Sequence, residues 1–158
     1  MDNQTLSHII ADFSKDVDKD AFSAQDWDAL AHKAYSEGVG PLLYKKLSSG
    51  KILNLMPEET RNFLRLVYAS TSIQNQIVFK ELEILAGLFH EAGIEVVALK
   101  GACLALTIYP EIGLRPMGDI DLLVPKEELS KAVAIAKSLD YEKSLPEASP
   151  GLNDLLSH

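Results

Sequence analysis

Apolar residues recur at helical spacing from Leu6 to Phe89, and the period shortens only after Gly93. Leu6, Ile9, Ile10, Phe13 and Val17 predict a first helix, ended by the charged run DVDKD. Ser23 is a candidate cap for a second helix from Ala24 to about Ser36, with Trp27, Leu30, Ala31, Ala34 and Tyr35 on one face and Gly38 as the closing residue. Pro41 suits the first turn of a third helix that packs Leu42, Leu43, Tyr44 and Leu47 and closes near Gly50. From Pro57 to Ala92 the pattern predicts one long helix or two abutting ones. Phe63, Leu64, Val67 and Tyr68 come first, then the polar Thr71, Ser72 and Asn75, then Ile73, Ile77, Val78, Leu82, Leu85, Leu88 and Phe89.

At Ile94 the chemistry changes. IEVVAL, β-branched and bounded by glycine, predicts a strand. Lys100-Gly101 then opens a short helix, ACLALTIY, and a loop with Pro110, Gly113, Pro116 and Gly118 leads into a second strand, GDIDLLV. Pro125 ends that strand, and Leu129, Val133, Ala136 and Leu139 predict an amphipathic helix. Asp140 to Ser144 is a candidate third strand, and the remaining tail reads as loop. The class is α+β: an N-terminal helical region, residues 1–72, followed by a partial mixed sheet with flanking helices over residues 73–158.

The second strand carries the candidate chemistry. Side chains at i and i+2 of a strand point to one face, so Asp119 and Asp121 would stand about 6 to 7 Å apart among Ile120, Leu122, Leu123 and Val124. Two like charges in such surroundings need compensation, and oxygen-only ligands suit Mg²⁺ or Mn²⁺. The strand–glycine–helix turn would present backbone N–H groups of Gly101, Ala102 and Cys103 to an anion at the positive end of a helix. Lys100 and Arg115 either join that phosphate cradle or neutralise the aspartates. Cys103 reads as a small core residue, His32 as a half-buried structural histidine and Tyr109 as packing.

Bulk properties narrow the options. The 158 residues, 47% hydrophobic and 24% charged, suit a globular protein with a core. No apolar run is long enough for a membrane span, and MDNQTLSHIIADFSKD lacks the marks of a secretory signal. The single cysteine excludes an internal disulfide and fits a cytoplasmic setting. A net charge of −8 argues against bulk nucleic-acid binding, which depends on Lys and Arg.

The run LKGACLALTIYPEIGLRPMGDIDLLV resembles the uncharacterised nucleotidyltransferase family of the polymerase-beta-like nucleotidyltransferase superfamily. The resemblance covers roughly Ile94 to Leu139. It implies that Gly101 helps bind a nucleoside triphosphate and that Asp119 and Asp121 hold catalytic Mg²⁺. Superfamily members often follow the glycine with serine; here Ala102 stands there, so phosphate contact would rest on backbone N–H groups and on Lys100 or Arg115. The superfamily also draws a third carboxylate from a later strand. The expectation is therefore a core incomplete at its C-terminal end. The function expected is Mg-dependent transfer of a nucleotidyl group from an NTP to an unidentified hydroxyl-type acceptor, by this chain or a longer one of which it is the N-terminal part. The alternative is a nucleotide-binding or regulatory module that keeps the fold without turnover.

Overall fold

The structure, a computed structural model, describes residues 22–49 and 52–142. The expected helix between Thr5 and Val17, the closure at Gly50 and the last two positions of the candidate third strand, 143 and 144, lie outside these residues; its first three, Asp140 to Glu142, are described and are not strand.

Helix α1 spans Ala24–Ser36. Ser23 and Asp26 cap it reciprocally: the Asp26 amide donates to Ser23 Oγ at 3.2 Å and the Ser23 amide donates to Asp26 Oδ2 at 3.0 Å. Trp27, Leu30, Ala31 and Ala34 are its buried face. Gly38, at φ +71°, turns the chain into α2, Gly40–Ser49, which buries Leu43 and Leu47. A 3₁₀ turn, Ile52–Leu55, leads to α3, Glu58–Glu91. Its 34 residues make one continuous helix about 50 Å long, with Glu58 and Glu59 in the first turn and Gly93 closing the end at φ +72°. Its N-terminal half shares a core with α1 and α2 through Leu64.

The C-terminal half of α3 carries the mixed part of the fold. Strand β1 is Val97–Ala98, α4 is Lys100–Thr107, a 3₁₀ turn covers Ile112–Leu114, β2 is Leu122–Leu123, and α5 is Leu129–Ser138. The strands pair antiparallel, Val97 with Leu123 and Ala98 with Leu122. Two small cores seat these pieces on α3. Val78 packs with Ala102, Ala105 and Met117; Leu85 and Phe89 pack with Ile94 and Ala132. The class is α+β, and among the described residues strands occur only after Gly93.

Several expectations need correction. Both strands are two residues long where six or seven were expected, because among the described residues each has only the other to pair with and the backbone leaves the ladder as soon as that pairing ends. Asp119 and Asp121 consequently precede β2 and do not sit on it. Cys103 is exposed: on so short a helix only Ala102 and Ala105 face α3. His32 is exposed too, with its ring 4.7 Å from Phe63 and Nε2 3.6 Å from Asp28. Ile73 and Ile77 face outward, because the inward phase of α3 passes through Asn75 and Val78. On α5 the buried residue is Ala132, whereas Leu129 and Val133, and Leu139 just past its end, are exposed.

Candidate functional site

The site is assembled where the β-ladder runs into α4. Beyond the two paired residues the Leu99 amide donates to the Asp121 carbonyl at 2.9 Å, so the ladder tethers the start of α4 to the acidic segment. Lys100, the first residue of α4, is left-handed at φ +44°, a costly conformation for a residue with a Cβ. Its Nζ lies 3.2 Å from Asp121 Oδ1, a pair in which the lysine side chain is 73% exposed and the aspartate 29%. The pairing is therefore a solvent-screened contact that a competing charge can displace.

The acidic segment keeps the alternation expected of it without being a strand. Ile120, Leu122 and Val124 pack toward the core formed by Leu85, Phe89 and Ala132. Asp119 and Asp121 alternate with them; Asp119 is exposed and Asp121 is half-buried. Asp119 also lies at the lip of a cleft of about 420 Å³ between α3 and α5, whose walls include Leu85, Phe89, Ile120, Ala136, Glu81 and Tyr141. The Tyr141 hydroxyl donates to Glu81 Oε1. Burial, reinforced by the Glu81 carboxylate, pushes the Tyr141 phenol up to about 12.

Gly101 does not open a bare cradle. A Cβ there would come within 3.3 Å of Met117 Cγ, so the glycine lets α4 begin close against the residue two before Asp119. The Ala102 side chain is buried, which leaves its backbone amide as its only polar contribution. No side chain caps the start of α4, so its first-turn N–H groups lack an intrahelical or capping partner. Arg115 sits apart from the two aspartates: among the described residues it pairs with neither. Its Nε is buried without a hydrogen-bond partner, a donor in want of an acceptor.

What the sequence did not single out is the anchoring of the loop between α4 and the aspartates. Asn75, wholly buried, donates through Nδ2 to the Ile112 carbonyl and, at 2.7 Å, to the Arg115 carbonyl. Tyr68 donates to Glu111 Oε2 at 2.6 Å, and Lys45 of α2 pairs with the same carboxylate. The Lys45 ammonium first, and the Tyr68 hydroxyl second, hold the Glu111 carboxyl below its usual range. Nothing in the local sequence marks Asn75, because the carbonyls it meets lie 37 and 40 positions along the chain.

The donor chemistry fits a hard cation only in part. Among the described residues no group of three or more His, Cys, Asp or Glu side chains is arranged to hold a metal ion. Mg²⁺, however, is commonly bound by one or two carboxylates together with substrate phosphates and water, a set that Asp119 and Asp121 can begin. No helix among the described residues is long and apolar enough to cross a membrane.

A family model described as an uncharacterised nucleotidyltransferase matches residues 23–154. Neither the curated proteins nor the solved structures gave a match.

Proposed function

The chain belongs to the uncharacterised nucleotidyltransferase family, and from that membership we propose that the junction of β1, α4 and the Asp119–Asp121 segment is the nucleotide-and-metal half of a Mg-dependent transferase site. Asp119 and Asp121 would hold Mg²⁺ (or Mn²⁺). The uncapped amides of Gly101 and Ala102 and the exposed ammonium of Lys100 would take the triphosphate oxygens of an NTP, and Arg115 would join them only by turning its guanidinium out of the buried position that Nε holds. The bound ion would offset phosphate charge in the ground state and on the departing pyrophosphate. An acceptor hydroxyl oxygen would bond to the α-phosphorus as the bond from that phosphorus to the bridging oxygen breaks; pyrophosphate would leave with that electron pair and the hydroxyl proton would pass to water. Lys100 is suited to exchange Asp121 for a phosphate oxygen because that pair is exposed and weakly held. The lone cysteine, exposed and without a second one to bridge, goes with a cytoplasmic setting in the same reading.

The observation that carries this reading is the Leu99–Asp121 hydrogen bond, which ties the start of α4 to the segment that bears the two carboxylates. A second reading, a nucleotide-binding module without turnover, is favoured by the Lys100–Asp121 pair, which already engages one carboxylate. Incubation with α-labelled NTPs, Mg²⁺ and candidate hydroxyl acceptors separates the two. Label transfer that disappears in Asp121→Ala supports the transferase. Mg-dependent NTP binding without transfer supports the module, and absence of NTP binding in calorimetry sinks both.

A further inference from the structure

Tyr68, Ser72 and Asn75 recur on one face of α3 at helical spacing, and each engages the loop that separates α4 from the acidic segment. Tyr68 holds Glu111, with Lys45 on the same carboxylate. Ser72 lies against Gly113, where a Cβ would fall 2.0 Å from Ser72 Oγ. Asn75 spends its amide donor on the carbonyls of Ile112 and Arg115, the two ends of one short turn. A single side chain bridging two carbonyls of a turn fixes both the position and the tilt of the chain leaving that turn, and Asp119 lies four residues beyond Arg115.

We propose that Asn75 is a positioning residue: its amide clamps the Ile112–Arg115 turn to the long helix and so sets where Asp119 and Asp121 stand. The proposal rests on the reading of those carboxylates as cation ligands. The clamp itself is independent of it. The chemistry required is specific. Ala at 75 would leave two half-buried carbonyls without this donor, and Asp, nearly the same shape, would set a carboxylate oxygen against them. Asp should therefore be worse than Ala, the reverse of what side-chain volume alone dictates.

The test uses the full chain, ¹⁵N-labelled, as wild type, Asn75→Ala and Asn75→Asp. Melting temperature reports folding, amide resonances report the loop, and Mn²⁺-induced broadening reports the carboxylates. Both variants should keep the resonances of Trp27, Leu30 and Leu43 and shift or split those of Gly113 and Gly118 to Asp121, Asp more than Ala. Apparent Mn²⁺ affinity should fall by roughly tenfold or more, as when partners behind metal ligands are removed. Unmoved Gly118–Asp121 resonances in both variants would overturn the clamp. So would Ala disturbing the loop more than Asp, or global unfolding of Asn75→Ala, which would make Asn75 a general core residue. If wild type binds no Mn²⁺ while the loop resonances respond as described, the clamp stands and the cation reading alone fails.

Discussion

Lys100 is where stability and function are set against each other. Its left-handed backbone costs on the order of 1 kcal/mol for a residue with a Cβ, and its ammonium lies against Asp121 in solvent, a contact of little energetic weight. Lys100→Gly should therefore raise stability, by up to about 1 kcal/mol, while weakening NTP binding; calorimetry and a denaturant titration read the two effects separately. A loss of stability in that variant would show that the strain is not where the backbone places it. The aspartates make the complementary case. Asp119→Asn combined with Asp121→Asn should abolish Mn²⁺-induced broadening and change stability little, because Asp119 is exposed and Asp121 faces a screened partner. Undiminished broadening in the double variant would remove the metal from the site. Asp119, Asp121 and Lys100 could all be singled out from the sequence, because polar residues between apolar neighbours stand out in a short-period stretch. The close partner of Gly101 could not, since Met117 is sixteen positions away and nothing local announces the contact.

The long helix shows how an element can be read correctly and phased wrongly. Its bounds followed from Pro57 and Gly93, and Thr71, Ser72 and Asn75 did not break it; Ser72 and Asn75 are engaged with the neighbouring loop. The apolar count misled the phase: Ile73 and Ile77 look inward in the sequence, yet the buried phase runs through Leu64, Asn75, Val78, Leu85 and Phe89. Burial of an asparagine is permitted only by partners far along the chain, so local periodicity does not show which polar residue will be buried. Two outcomes belong to this element. Gly113→Ala should cost about 2 kcal/mol or more, since the added methyl would overlap Ser72 Oγ and come within 3.3 Å of Ser72 Cα. Ser72→Gly in that background should restore part of the loss, less about 1 kcal/mol for glycine within a helix. Equal stability of wild type and Gly113→Ala in denaturant would mean that the loop does not sit on α3 as described. At the other end, Tyr141 ties the close of α5 to Glu81. Its phenol is raised from 10.0 to about 12, by burial first and Glu81 second. A raised folded value means that this contribution to stability is complete below pH 10 and is lost as pH climbs toward 12. Phenolate absorbance should show late titration from Tyr141 and from Tyr68, whose hydroxyl is held by Glu111; Tyr141→Phe should remove the Tyr141 part and Glu81→Gln should move it earlier.

In the molecule as a whole, the helical part and the strand-bearing part are joined by more than sequence. A division at residue 72 passes through the middle of α3, between Tyr68 and Ser72 on one side and Asn75 on the other. It would separate Lys45 and Tyr68 from Glu111, and it would part Gly113 from Ser72. The clusters that remain, Val78 with Ala102, Ala105 and Met117, and Leu85 with Phe89, Ile94 and Ala132, are small and rich in alanine. A two-strand ladder adds little to them, because a lone pair of strands is marginal in water. The piece 73–158 should accordingly keep helical circular dichroism but melt without a cooperative transition, whereas the full chain melts cooperatively. Mn²⁺ broadening at Asp119 and Asp121 should weaken in the same piece, since nothing then holds Glu111 and one end of the loop is free. A cooperative melt of 73–158 at the temperature of the full chain would show that the anchors from α2 and the first half of α3 are dispensable, and that the carboxylates are positioned by β1, α4 and Met117 alone.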